Sequence, residues 1–172
     1  ERALGSGDDQ VRLTSAAALM AISPYHYEAQ QVFADLAAIS GGFERKRIPN
    51  WVKEYDLPYD DTPLLRAMLD DPIPSYSVEA ARRLARRKQH EDQALATLVE
   101  LYNTGDRSSQ QRVVLAMGSF RPELLAPQRE LIEQAVASRL YQADRLLKTI
   151  PLDESDPSAS SIDSDKTAAA NP

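Results

Sequence analysis

Asp71-Pro72-Ile73-Pro74-Ser75-Tyr76-Ser77-Val78-Glu79-Ala80-Ala81-Arg82-Arg83-Leu84 is the stretch whose reading decides the fold. Its skeleton is an aspartate, a pair five residues on (Tyr76-Ser77), and then two small residues closed by a leucine. A related skeleton follows at Asp106, with Gln111-Arg112 and Leu115-Ala116-Met117-Gly118-Ser119, a shift of 35 residues from 76 to 111. An earlier copy is Val11-Arg12 with Ser15-Ala16-Ala17-Ala18-Leu19. It lies 65 residues before Tyr76, near two periods with one indistinct unit between. Small residues returning at one place in a helix, at a period in the 30s to 40s, mark a helical repeat array. The expected fold is all-α: an α-solenoid of stacked antiparallel helix pairs, about four to five units with one degenerate.

Composition agrees with helices. Six glycines in 172 residues suit helices better than a turn-rich β fold, and 42% hydrophobic residues suffice for a core. The net charge of −6 is unevenly placed. From Pro151 onward Asp153, Glu154, Asp156, Asp163 and Asp165 face only Lys166, so that segment holds −4 and residues 1–150 hold −2. A nearly neutral folded part lacks the basic field that general nucleic-acid binding requires. Cysteine is absent, which removes disulfides, thiolate catalysis and cysteine-ligated metal. No apolar run approaches the ~20 residues of a membrane span. The chain starts at Glu1 and is expected to be a piece of a longer protein; the compartment stays open, with the cytoplasm as the default expectation.

Along the chain, residues 9–22 predict an amphipathic helix with Val11, Ser15, Ala18, Leu19 and Ile22 on its apolar stripe. Ser23-Pro24 reads as the cap and first position of a second helix, carrying Val32, Leu36 and Ile39 to Gly41-Gly42. Residues 43–61 read as an irregular aromatic insert, a loop with one short helix near 50–56. Thr62-Pro63 opens a helix to about Leu69, and helices follow over 75–89, 92–103 and 107–120. A last stripe from Leu131 to Ile150 has a break near Ser138. The repeat domain therefore spans 1–150, and 151–172 is an acidic Ser/Asp/Ala tail expected to be disordered. Ala16, Ala17, Ala80, Ala81 and Ala116 would let stacked helix axes approach to the low end of ~8–10 Å.

These helices resemble the second helix of HEAT repeats, in which an aspartate in the turn precedes Val-Arg and Ala-Ala-x-Ala-Leu. The short bacterial kind, as in phycobilisome-lyase-like repeat proteins, is the nearest pattern. Val11-Arg12 with Ala16-Ala17-Ala18-Leu19 matches it best, whereas Tyr76-Ser77 departs from Val-Arg. The resemblance implies a solenoid, and with it a scaffold or adaptor rather than a fixed chemistry. It also admits an enzyme subunit of the bilin-lyase kind, or less readily a DNA-glycosylase-like protein. The expected function is non-catalytic protein or peptide binding, with no cofactor and no metal.

Candidate sites are few. His26 and His90 lie far apart without ligand-spaced partners and read as surface or capping groups. Asp8-Asp9, Asp60-Asp61 and Asp70-Asp71 precede helices and read as caps rather than acid–base pairs. Gly5-x-Gly7 lacks the Lys-Ser/Thr of a phosphate loop. Arg82, Arg83, Arg86 and Arg87 form a ridge at i,i+4 spacing. It reads as a solvated face tempered by Glu79, Glu91 and Asp92, or as a docking strip for an acidic partner segment or for the tail 153–165. Trp51, Tyr55 and Tyr59 read either as packing over the neighbouring hairpins or as a partner-facing surface.

Overall fold

The computed structural model describes residues 2–39 and 42–151, with the side chains of 42–46 outside that description. The tail expected to be disordered lies outside the described residues. Among those described, the chain is helical without a strand. After a 3-10 turn at Arg2–Gly5 come α1 (Asp9–Ile22), α2 (Tyr27–Ile39), α3 (Gly42–Glu54), α4 (Thr62–Leu69) and α5 (Pro74–Arg87). There follow α6 (Glu91–Thr104), α7 (Arg107–Met117), the single turn α8 (Pro122–Leu125), α9 (Arg129–Ala137) and α10 (Ala143–Thr149).

Each helix carrying the repeated skeleton follows an aspartate; in α1 and α7 it caps the helix, because a helix leaves its first amides without intrahelical partners, and in α5 it orders the preceding turn. Asp8 Oδ1 accepts the amides of Gln10 (2.8 Å) and Val11 (3.2 Å) at the start of α1. Asp106 Oδ1 accepts that of Ser109 (2.8 Å) at the start of α7. Asp71 Oδ1 accepts the Ile73 amide (2.9 Å) in the turn before α5, and Ser77 Oγ donates back to the Asp71 carbonyl (3.1 Å). Gly105, which ends α6, has to be glycine for a different reason: a Cβ there would sit 2.5 Å from the Leu101 carbonyl oxygen and 2.8 Å from Ser109 Cβ.

Packing is by neighbouring pairs. α1 lies on α2, α4 on α5, α5 on α6, α6 on α7 and α9 on α10. Contacts one helix further on join the pairs: α4 touches α6, α5 packs along α7, and α7 meets both α9 and α10. Ala80 and Ala81 of α5 and Ala116 of α7 are buried, as are Ala16 and Ala17 of α1. Around them Leu65, Met68, Leu84, Leu98, Met117 and Ile132 are fully enclosed in one continuous core.

Three sequence expectations need correction. The stripe expected to be buried on α1 is only partly so: Val11 and Ile22 are 43% and 82% exposed and Ala18 is exposed, Leu19 is half-buried against the core, and Leu13, Ala16, Ala17 and Met20 are inside. Both sets have helical spacing, and which one is covered depends on where α2 lies. α2 begins at Tyr27 rather than at Pro24, because His26 Nδ1 accepts the Ala29 amide (3.2 Å) and provides the cap; its Ile39 is exposed, and Ala29, Phe33, Leu36 and Ala37 make its core face. The insert is not a loop with a short helix near 50–56, since α3 runs through Pro49 for 13 residues. A proline inside a helix removes one N–H, and burial of Ile48, Trp51 and Val52 offsets that loss.

Candidate functional site

The basic ridge of α5 forms the centre of a groove. Its C-terminal half is helical because Ala80, Ala81, Leu84 and Ala85 give it one fully covered face. The opposite face carries Glu79, Arg82, Arg83, Arg86 and Arg87. The helix stops at Lys88, which adopts the left-handed conformation (φ 56°). There the Lys88 amide donates to Ala85 O (2.9 Å) and the Gln89 amide to Leu84 O (3.0 Å), the usual glycine-type closure made without glycine.

Two clefts flank this face. One of about 280 Å³ is lined by Lys53 from α3 together with Glu79, Arg82, Arg83, Arg86 and Arg87. The second, of about 210 Å³, lies between α5 and α7 and is lined by Ser75, Val78, Glu79, Arg82, Arg112, Leu115 and Ala116. Glu79 and Arg82 belong to both, so the two form one strip from α3 across α5 to α7. Six cations and a single carboxylate border it, over a floor of Val78, Leu115 and Ala116.

The cations differ in their freedom. Glu79 holds Arg82 (2.6 Å) and Arg83 (2.8 Å), and Arg83 also reaches Asn50 Oδ1 on α3. Arg87 pairs with Asp61, which is 1% exposed and whose Oδ2 has no hydrogen-bond partner among the described residues. That pair pins the α3–α4 connection against α5. Removing Arg87 would leave a buried carboxylate without its counter-charge. Arg86 makes no ion pair among the described residues, and Arg112 bonds Ser108 Oγ at 3.4 Å and acts on the Asp106 carboxylate without a salt bridge among those residues. Arg86, Arg112 and Lys53 are thus the groups ready to meet an anion. Of the acids expected to temper the ridge, Glu79 does so. Glu91 does not, because it is 7% exposed and binds Arg121 through both oxygens (2.8 and 3.3 Å). That fork raises the Arg121 guanidinium above its ordinary value.

The aromatic candidates divide. Trp51 is 9% exposed, with the Arg47 guanidinium 4.6 Å from its ring centroid. Tyr59 is half-buried and meets Phe33 edge-on, centroids 5.0 Å apart at 78°. Burial first, and then the Asp61 and Asp60 carboxylates, hold the Tyr59 phenol above its ordinary value. Only Tyr55 of the three presents a largely open ring, 46% exposed beyond the end of α3. Trp51 and Tyr59 therefore belong to the packing of the core, Tyr59 against Phe33 of α2, and the four arginines are brought together in the strip.

Comparison with protein-family models, characterised proteins and solved structures returns no match. Function has to be argued from the strip itself. Among the described residues no His, Cys, Asp and Glu side chains gather as a metal-holding group, and no helix is long and apolar enough to cross a membrane. His26 and His90 sit at the starts of different helices, α2 and α6. Sequence reasoning misses Lys53 and Arg112. Lys53 sits in a region read as an insert, and Arg112 is one element of the repeated skeleton. The one clue to both is that a repeat array places alternate helices on a common face.

Proposed function

We propose that this chain is a non-catalytic interaction module, a HEAT-like α-solenoid whose α3–α5–α7 face binds an acidic segment of a protein or peptide partner. The solenoid reading is supported by the order of contacts from α4 to α7, where each helix meets the next and the next but one. Such stacking puts alternate helices on a shared surface. The docking reading is carried by one observation: six cations against one carboxylate border a continuous strip, on a chain whose net charge is −6.

Long-range attraction would draw an acidic segment to this strip. Arginine forks would then grip individual carboxylates, and Val78, Leu115 and Ala116 would receive an apolar side chain between them. A nucleic-acid backbone fits less well, since Glu79 stands in the middle of the strip and the rest of the chain repels phosphate.

The test is a fluorescence-anisotropy titration with a labelled peptide of alternating glutamate and leucine. Arg86→Glu with Arg112→Glu is the informative variant, because neither arginine holds an ion pair that folding needs. The expected outcome is a salt-sensitive affinity that falls about tenfold or more in the variant at unchanged melting temperature. Equal affinity for both chains, or preferential binding of single-stranded DNA, would contradict the proposal.

A further inference from the structure

We infer that the strip has an occupant within this same chain, its own acidic segment 153–165, which docks in cis and competes with outside partners. The inference rests on the strip being an acidic-segment site, as proposed above. Three observations place the segment there. Asp153, Glu154, Asp156, Asp163 and Asp165 follow the last described residue, Pro151, and supply negative charge for Lys53, Arg86 and Arg112, which line the strip and hold no salt bridge among the described residues. The chain also leaves the fold from α10, which packs on α7, one of the helices that border the strip. Thr149 lines a cleft of about 320 Å³ with Val114 and Gly118, on one flank of α7. Arg112 and Leu115 border the strip on the other flank of the same helix.

Length is sufficient as well. From α10 over α7 to α5 is two helix-to-helix steps, roughly 20 Å at ~8–10 Å each. The eleven residue steps from Pro151 to Ile162 reach up to about 36 Å when extended. Ile162 is followed by Asp163 and Asp165, so one apolar side chain would face the Val78–Leu115 floor with carboxylates just after it. Tethering places such a segment at an effective concentration in the millimolar range. Even a weak contact would therefore be populated in cis, and a partner would have to displace it.

The chain has no cysteine, so Ser158→Cys gives one unambiguous site for a nitroxide spin label. At low salt the label is expected to reduce the amide signals of Arg82, Arg86, Arg112 and Leu115 at least about twofold, leaving Ala18 on α1 unaffected. The loss should vanish at about 0.5 M salt, and again when Asp153, Glu154, Asp156, Asp163 and Asp165 are changed to their amides. Broadening that is absent, or spread evenly over α1 and α5, would overturn the inference. The amide-substituted chain is also titrated with the glutamate–leucine peptide, and it is expected to bind about tenfold more tightly than wild type. Peptide binding of equal strength by both chains overturns the cis contact while leaving the docking site intact. A spin-label effect on the strip without peptide binding by either chain keeps the cis contact and removes the site for outside partners.

Discussion

α1 and α5 share one skeleton and meet different surroundings. Each begins at an aspartate-ordered turn and buries a pair of adjacent alanines, Ala16-Ala17 and Ala80-Ala81. α5 is covered by α4, α6 and α7, and what it leaves open is charged. α1 meets chiefly α2 and the N-terminal 3-10 turn, and it leaves Val11 and Ile22 open. The skeleton thus specifies a helix able to pack closely; the neighbours decide which of its faces is inside. A helix with apolar residues on both sides has no inside of its own.

Perturbing α3, which lies between these regions, should give the largest effect. Trp51→Ala is expected to cost about 3–5 kcal/mol by removing a buried aromatic from beneath α3, read from denaturant unfolding. A folded, fully stable variant would mean that the ring serves the surface instead. Enlarging alanines then separates the two regions. Ala81→Leu, in the seam of α5, should cost roughly 1–3 kcal/mol by overpacking. Ala18→Leu, on the open face of α1, should stay within about 0.5 kcal/mol. Comparable losses at both positions would show α1 covered as fully as α5.

A smaller change of opposite sign is expected at the end of α5. Lys88 holds a left-handed backbone that glycine adopts without strain. Lys88→Gly should therefore raise stability by about 1 kcal/mol. The smallest expected effect is on the acid side. Hydrogen bonds from the Ser109 amide and then its hydroxyl hold the Asp106 carboxyl below its ordinary value, and the Thr62 hydroxyl and amide do the same for Asp60. A depressed folded value means the contribution is complete above the unfolded value of about 3.9 and is lost as pH falls through the folded one. Asp106→Asn should narrow the stability difference between about pH 6 and pH 3 in the α4–α7 region, seen in amide exchange of α7. An unchanged difference would remove the cap from the pH response.

Much of the α4–α7 region is legible in the sequence because its punctuation is local. Thr62-Pro63 and Asn103-Thr104-Gly105 mark ends whose causes lie within a few residues, and α4 runs over Thr62–Leu69 as those cues imply. α3 is not legible. Pro49 argues against a helix, and the burial that overrules it comes from distant residues. The same division holds for the strip. Arg82, Arg83, Arg86 and Arg87 can be read from their own spacing. Lys53 and Arg112 join them only through tertiary packing, and Trp51 and Tyr59 are drawn the other way, into support. Asp61 looks like a helix cap and instead neutralises Arg87, since only the fold brings the two together.

The most direct test of the strip as a docking surface is a charge exchange on the full chain carrying the tail amides. With Arg86→Glu and Arg112→Glu in place, affinity for the glutamate–leucine peptide should fall about tenfold. A peptide carrying two lysines in place of glutamates should bind that variant better than it binds the unreversed chain. Recovery with the exchanged peptide is the expected result. Loss with both peptides, or no loss with either, would contradict an electrostatic strip on α5 and α7.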